Sequence, residues 1–253
     1  EELADKSATF ALPHSAAGTT CDFYAVANLS LTDVTTKSAL LSKVEASAAD
    51  YNGTFAEVST KAKRAGGFVM SASASKSIAV GSTTDVAMAR RRTVAKLSVQ
   101  TTIDAAFAEK YSGTITVTGG KLSKAASQSP VIAPATPSPG AMSYTHTQTA
   151  TAAAGRYDNL FYVFENGALA EGNRVQLEIT ASYDAAGSPS TTTARTGIDY
   201  TVPVTGKAGG AIVRNGYYRI EAAITGLAGS EVGLTITVAD WESPVTQQID
   251  LGA

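Results

Sequence analysis

Between closely spaced Gly, Pro, Asn and Ser residues, the chain carries short runs rich in Val, Ile, Thr, Tyr and Phe: DFYAVANLSL (22–31), GGFVMSAS (66–73), RTVAKLSVQT (92–101), GTITVTG (113–119), LFYVFEN (160–166), RVQLEITASYD (174–184), DYTVPV (199–204), YYRIEAAITG (217–226) and GLTITVADW (233–241). β-branched and aromatic residues in short, turn-bounded runs read as strands, and this many of them require a sandwich or barrel. In YYRIEAAITG, Tyr218, Ile220, Ala222 and Ile224 alternate with Tyr217, Arg219 and Glu221. Successive side chains of a strand point to opposite sides, so one face meets a core and the other water. The fold class is all-β.

Two segments break the pattern. KSALLSKVEASAADY (37–51) repeats Leu40, Leu41, Val44, Ala48 and Tyr51 at helical spacing behind Thr35 and Thr36, either of which suits an N-cap. TIDAAFAEKY (102–111) predicts a second, shorter helix with Ile103, Ala106, Phe107 and Tyr111 on one side. A third segment, SQSPVIAPATPSPGAMSYTHTQTATAAAG (127–155), holds four of the eight prolines and little that packs, and so predicts a boundary between domains at 1–138 and 139–253.

Composition narrows the function. The 253 residues suffice for one or two cores, and the net charge of -2, with 17% charged residues of both signs, leaves no basic field for nucleic acid. No apolar run approaches the ~20 residues that span a bilayer. The opening EELADKSATF is acidic rather than signal-like, so an exported chain would already have lost its targeting segment. The single cysteine, Cys21, sits in a strand run where a buried thiol is expected, against a reactive or intermolecular one.

Catalytic motifs are absent: no G-x-S-x-G, H-E-x-x-H, C-x-x-C, P-loop or G-x-G-x-x-G occurs. His14 and His146 lack neighbours suited to metal binding or base catalysis, and Asp33, Asp50, Asp184, Asp199 and Asp240 fall at strand edges and turns. No catalytic, metal or cofactor residue is assigned, and no cofactor is expected. In ARRRTVAKLS, Arg90, Arg91, Arg92 and Lys96 fit an anion site, a site for an arginine-specific protease, or the polar side of a strand that resists edge aggregation. The sequons at Asn28 and Asn52 matter only in a glycosylating pathway.

An aromatic strand ending in Glu165-Asn166, the Arg-Asn-x-Tyr-Tyr of residues 214–218 and a last strand closing on Asp240-Trp241 follow one another in the second half. This order of elements resembles the fimbrillins, the type V pilins of Bacteroidales-type bacteria. FYAVANLS, the helix near Leu40 and ARRRTVAKLSV match elements of the first half. The resemblance implies two transthyretin-like β-sandwich domains, the first with one or two short helices. It also implies a Gram-negative lipoprotein precursor trimmed after an arginine, and a surface fimbrium built from identical or related subunits. Membrane attachment would then be through a removed lipid anchor or an anchor subunit, and the adhesion ligand is not identified. No lipidated cysteine precedes Glu1, which fits a trimmed chain and equally a shortened one.

The tail, residues 244–253, has the pattern of a donor strand. Pro244 separates it from the preceding strand, and Val245, Gln247, Ile249 and Leu251 fall on one face. Seven residues at ~3.3 Å each reach roughly 23 Å, enough to cross a sandwich. The tail either completes a neighbour's sheet or adds a last strand to its own. A monomeric surface module for glycan or protein binding is the rival to a polymerising subunit.

Overall fold

A computed structural model describes residues 8–133, 142–185, 195–204, 206, 208–228, 236–240 and 250–251. Its strands are β1 (Thr20–Ala27), β2 (Val44–Glu45), β3 (Met70–Ser77), β4 (Arg91–Arg92), β5 (Val94–Ile103), β6 (Gly113–Ala125), β7 (Ser129–Pro130), β8 (Tyr144–Thr149), β9 (Thr151–Ala153), β10 (Arg156–Phe164), β11 (Gln176–Ala185), β12 (Arg195–Pro203), β13 (Gly216–Ile224), β14 (Ile236–Asp240) and β15 (Asp250–Leu251). Among the described residues four short α-helices accompany them: α1 (Lys37–Ser42), α2 (Ala48–Tyr51), α3 (Phe55–Val58) and α4 (Ala105–Lys110). The all-β class is as the sequence implies.

Two sheets form the main sandwich. One runs β14-β13-β5-β10-β9, with β15 also against β13, and the other runs β12-β11-β6-β8. Between them lies a core that includes Leu97, Val99, Phe161, Tyr218, Ile220 and Ile224 from the first sheet and Val117, Leu122, Leu177, Ile179 and Val202 from the second. The alternation in β13 is obeyed, since Tyr218, Ile220, Ala222 and Ile224 are buried while Tyr217, Arg219 and Glu221 are half-exposed. Its pairing with β5 is parallel, with Tyr218 opposite Leu97, so the sandwich is mixed rather than purely antiparallel.

β10 is apolar on both sides. Phe161 and Val163 enter the main core. Leu160, Tyr162 and Phe164 point the other way, into a second cluster with Ala48, Tyr51, Val58, Val94 and Ala126. An unbroken apolar run is what a strand covered on both faces requires. Segment 48–58 supplies the cover, held by a capping box in which Thr54 and Glu57 satisfy each other's backbone N–H groups.

Beside this body stands a smaller sheet of order β1-β3-β4, with the short pair β2-β7 nearby. Its strands bury little. Among their residues only Ser71 is fully buried.

Three expectations are corrected here. The segment 37–51 is not one helix: Thr36 does cap α1, its hydroxyl accepting from the Ala39 N–H at 3.1 Å, but the chain then extends into β2 before α2. Tertiary contacts override the helical period, because Glu45 is drawn into a buried hydrogen-bonded cluster with Tyr51 and Thr93. The division at 138/139 does not separate the sheets. β5 and β6, which precede it, are hydrogen-bonded to β10, β13, β11 and β8, which follow it, and β7, β8 and β9 lie within the segment read as a boundary. Cys21 is half-exposed rather than buried, since β1 is an edge strand with an incompletely covered face.

Candidate functional site

Four segments of the chain make a groove of about 400 Å3, lined by Asp22 and Tyr24 of β1, Ser73, Ala74 and Ser75 of β3, Leu41 of α1, and Ile132 and Ala133 after β7. Antiparallel pairing sets Asp22 opposite Ser75 and Tyr24 opposite Ser73, so these four side chains share one face and form the floor. Small serines keep that floor shallow. Leu41 stands at the rim and is 44% exposed, and Val44 beyond it is 45% exposed. β1 pairs only with β3 among the described residues, leaving its other edge open. An open edge beside an apolar-rimmed groove is a template for an added strand.

At the inner end of the groove Arg214 is buried. Its Nε donates to Glu165 Oε2 at 3.0 Å and its Nη2 to Glu165 Oε1. Nη1 donates to Ser71 Oγ at 3.2 Å and to the Val131 carbonyl at 3.1 Å, and Nη2 also reaches the Pro130 carbonyl at 2.7 Å. All five guanidinium N–H groups therefore have acceptors, the condition under which a buried charge is tolerated. The node joins three bodies: Ser71 belongs to the groove floor strand, Pro130 and Val131 to the opposite wall, and Glu165 and Arg214 to the main sandwich.

Residues of two of the motifs behind the sequence resemblance lie in and around this node, while Trp241 of the third lies outside the described residues. Glu165 pairs with Arg214, Asn166 bridges Ile212, Asn215 accepts from the Arg92 side chain at 2.9 Å, and the Tyr218 hydroxyl accepts the Val213 N–H at 2.8 Å. Asn215 lies in the left-handed region at φ 59, which Asn tolerates better than most residues.

At the outer end α1 meets the floor through charge. Lys37 of α1 donates to Asp22 of β1 at 2.6 Å, and Ser75 donates to the same carboxylate. The Lys37 ammonium, with the Ser75 hydroxyl, holds the Asp22 carboxyl below the usual carboxylate range. Lys37 is shifted upward in turn by Asp22.

Of the residues expected to form a donor strand, Val245, Gln247 and Ile249 lie outside the described residues. Leu251 is in β15, whose backbone pairs in parallel with β13, Asp250 opposite Ala223 and Leu251 opposite Ile224. Arg90 and Arg91 are exposed and Arg91–Arg92 form the edge strand β4, but Lys96 lies on β5, which β13 and β10 pair on both sides, so the strand carrying Val94 to Val99 is not an edge. His146 is on β8 with Nε2 3.2 Å from the Gly53 carbonyl, and His14 is in a short turn far from it in sequence. Among the described residues no group of three His, Cys, Asp or Glu side chains is placed to hold a metal ion. The groove itself is not legible in the sequence; only the exposed Leu41 within KSALLS hints at it.

Comparison with solved structures gives the fold alone, which is shared with candidate cell adhesion proteins and a fimbrial tip protein. The chain superposes on a candidate cell adhesion protein from Bacteroides eggerthii with a TM-score of 0.56 at 16% identity, covering 91% of this chain and 79% of that one. The tip fimbrial protein Mfa3 from Porphyromonas gingivalis, with a C-terminal truncation, gives a TM-score of 0.56 at 17% identity over 87% and 80% of the two chains. A candidate cell adhesion protein from Parabacteroides distasonis gives 0.52 at 13% identity over 93% and 83%. No family model and no curated protein matches the sequence. Among the described residues no helix is long and apolar enough to cross a membrane.

Proposed function

We propose that the chain is a structural fimbrial subunit of a bacterial cell surface that polymerises noncovalently and supports adhesion, with related subunits as its partners. The observation that carries this reading is the half-covered β1-β3-β4 sheet, with an open edge at β1 and a groove beneath it, in a fold shared with a fimbrial tip protein. A neighbour's tail is the proposed occupant. Val245, Gln247, Ile249 and Leu251 would present one face to the groove while the backbone extends the β1 edge. Burying Val245, Ile249 and Leu251 at ~1.5–3 kcal/mol each supplies roughly 4.5–9 kcal/mol before association costs are subtracted.

A second reading has its own observation. The pairing of Asp250–Leu251 with β13 favours a tail that completes its own sheet. Replacing Ile249 and Leu251 by Asp separates the two, because an unpaired carboxylate is excluded from an apolar site in either place. In the donor-strand case the subunit keeps its melting temperature and loses filament growth. A variant that melts markedly earlier, or that still builds normal filaments, rejects donor-strand assembly. A monomeric surface-binding module would form no filaments even with the native tail, as electron microscopy of surface material would show.

A further inference from the structure

The floor strands of the groove are bridged to the elements beside them at two places of very different strength. At the inner end the Arg214 guanidinium, itself 5% exposed, ties Ser71 to Val131, and the Ser71 hydroxyl also donates to the Val131 carbonyl. At the outer end the bridge is the ion pair of Lys37 with Asp22, whose side chains are 58% and 40% exposed. Exposed ion pairs contribute little and are screened by salt, whereas a buried, fully hydrogen-bonded guanidinium is costly to disturb.

The element between these bridges is held down by no buried side chain of its own. No residue of α1 is buried, in contrast to Tyr51 of α2 and Val58 of α3. Its C-terminal side is fixed, since the Val131 N–H donates to the Lys43 carbonyl at 2.9 Å and β2 pairs with β7 next to it. Leu41 borders the groove and also a second hollow lined by Lys37, Ser38 and Ser42, so the helix has free space about it.

We infer that α1 is a latched lid over the groove: it turns about the Lys43–Val131 attachment, which the Arg214 node anchors, and the Lys37–Asp22 pair is the latch. This rests on the reading of the groove as the acceptor of a neighbour's strand, and it adds control of entry to that site. A closed lid shields Tyr24 and Ile132 in the free subunit, and an incoming strand displaces Leu41.

The test uses the full chain with Cys21→Ser, Leu41→Cys and Ser73→Cys, spin-labelled at the two new thiols, which lie on the lid and the floor. Lys37→Ala is expected to lengthen and broaden the inter-label distances, and Lys37→Arg to leave them unchanged. A peptide of residues 242–253 should then associate several-fold faster with Lys37→Ala than with the parent. Unchanged distances in Lys37→Ala overturn the lid, and so does an opened groove that takes the peptide no faster. A peptide that binds none of the variants counts against the donor-strand reading, while the distances still decide whether the lid moves.

Discussion

Arg214 and Glu165 form a bidentate ion pair at the junction of the small sheet and the main sandwich, with side chains only 5% and 15% exposed. Such a pair is worth little against a well-packed apolar replacement, but breaking it from one side strands a buried charge. Arg214→Met should cost about 3–5 kcal/mol, because it leaves the Glu165 carboxylate buried without its cation. The double variant Arg214→Met/Glu165→Leu should recover part of that loss. Urea denaturation of both variants is the check, and additive losses would show that the two side chains act independently.

Two side-chain amides continue the ladder of β10 where β9 stops. Gln148 Oε1 accepts the Leu160 N–H at 2.9 Å and its Nε2 donates to the Leu160 carbonyl at 3.1 Å. Asn52 does the same two residues on, bonding both the N–H and the carbonyl of Tyr162 at 2.8 Å. A buried edge is thereby satisfied without another strand. Asn52→Leu should cost ~1–3 kcal/mol by leaving the Tyr162 N–H and carbonyl unpaired. Thermal denaturation measures it; a neutral result would mean that another group or water takes over. The sequon at Asn52 is thus explained by its buried amide.

How far the sequence reveals this architecture depends on whether a feature is local. β13 is legible because Tyr218 to Ile224 alternate strictly, and the two-sided cover of β10 follows from the unbroken LFYVF. Thr36 marks a helix start correctly. The helix end is not legible, because what stops it is Glu45 meeting Tyr51 and Thr93, the last of which lies 48 residues away. The proline-rich stretch suggests a division of sheets that long-range pairing of β5 and β6 ignores. The groove is hidden because incomplete cover over Tyr24 and Leu41 leaves no periodic trace. Period two in the tail says which residues share a face, and nothing about whose sheet receives them.

Alkaline pH should weaken the fold through its buried phenols. Burial pushes Tyr162 and Tyr200 up to about 12, and their hydroxyls reach the carbonyls of Val58 and Gly226. An unfolded tyrosine ionises near ~10. Between these values the unfolded chain gives up protons that the folded chain keeps, so this contribution is fully present below ~10 and lost as pH rises through about 12. Tyrosinate absorbance of the native protein should show these two phenols ionising only as the fold is lost. Early, reversible titration of all ten tyrosines would contradict their burial.

Gly120 lies on β6 opposite Ile179, and a Cβ added there would stand 3.0 Å from both Cγ and Oδ1 of Asn159. Asn159 has no slack to retreat, being 1% exposed and donating through Nδ2 to the Gln148 carbonyl at 3.2 Å. Any shift also disturbs Gln148, which bonds Leu160 and holds the edge of β10. Gly120→Ala should therefore destabilise by ~1–3 kcal/mol despite adding only a methyl group. Gly172→Ala is the control, since a methyl group there would meet nothing within 4 Å and the backbone is not in the left-handed region. That change restricts the unfolded chain and should be neutral or stabilising by up to ~1 kcal/mol. Asn159→Ala in the Gly120→Ala background removes the clash, so the cost of the glycine substitution should shrink there. Equal costs with and without Asn159 would mean that the strain at residue 120 arises from some other neighbour.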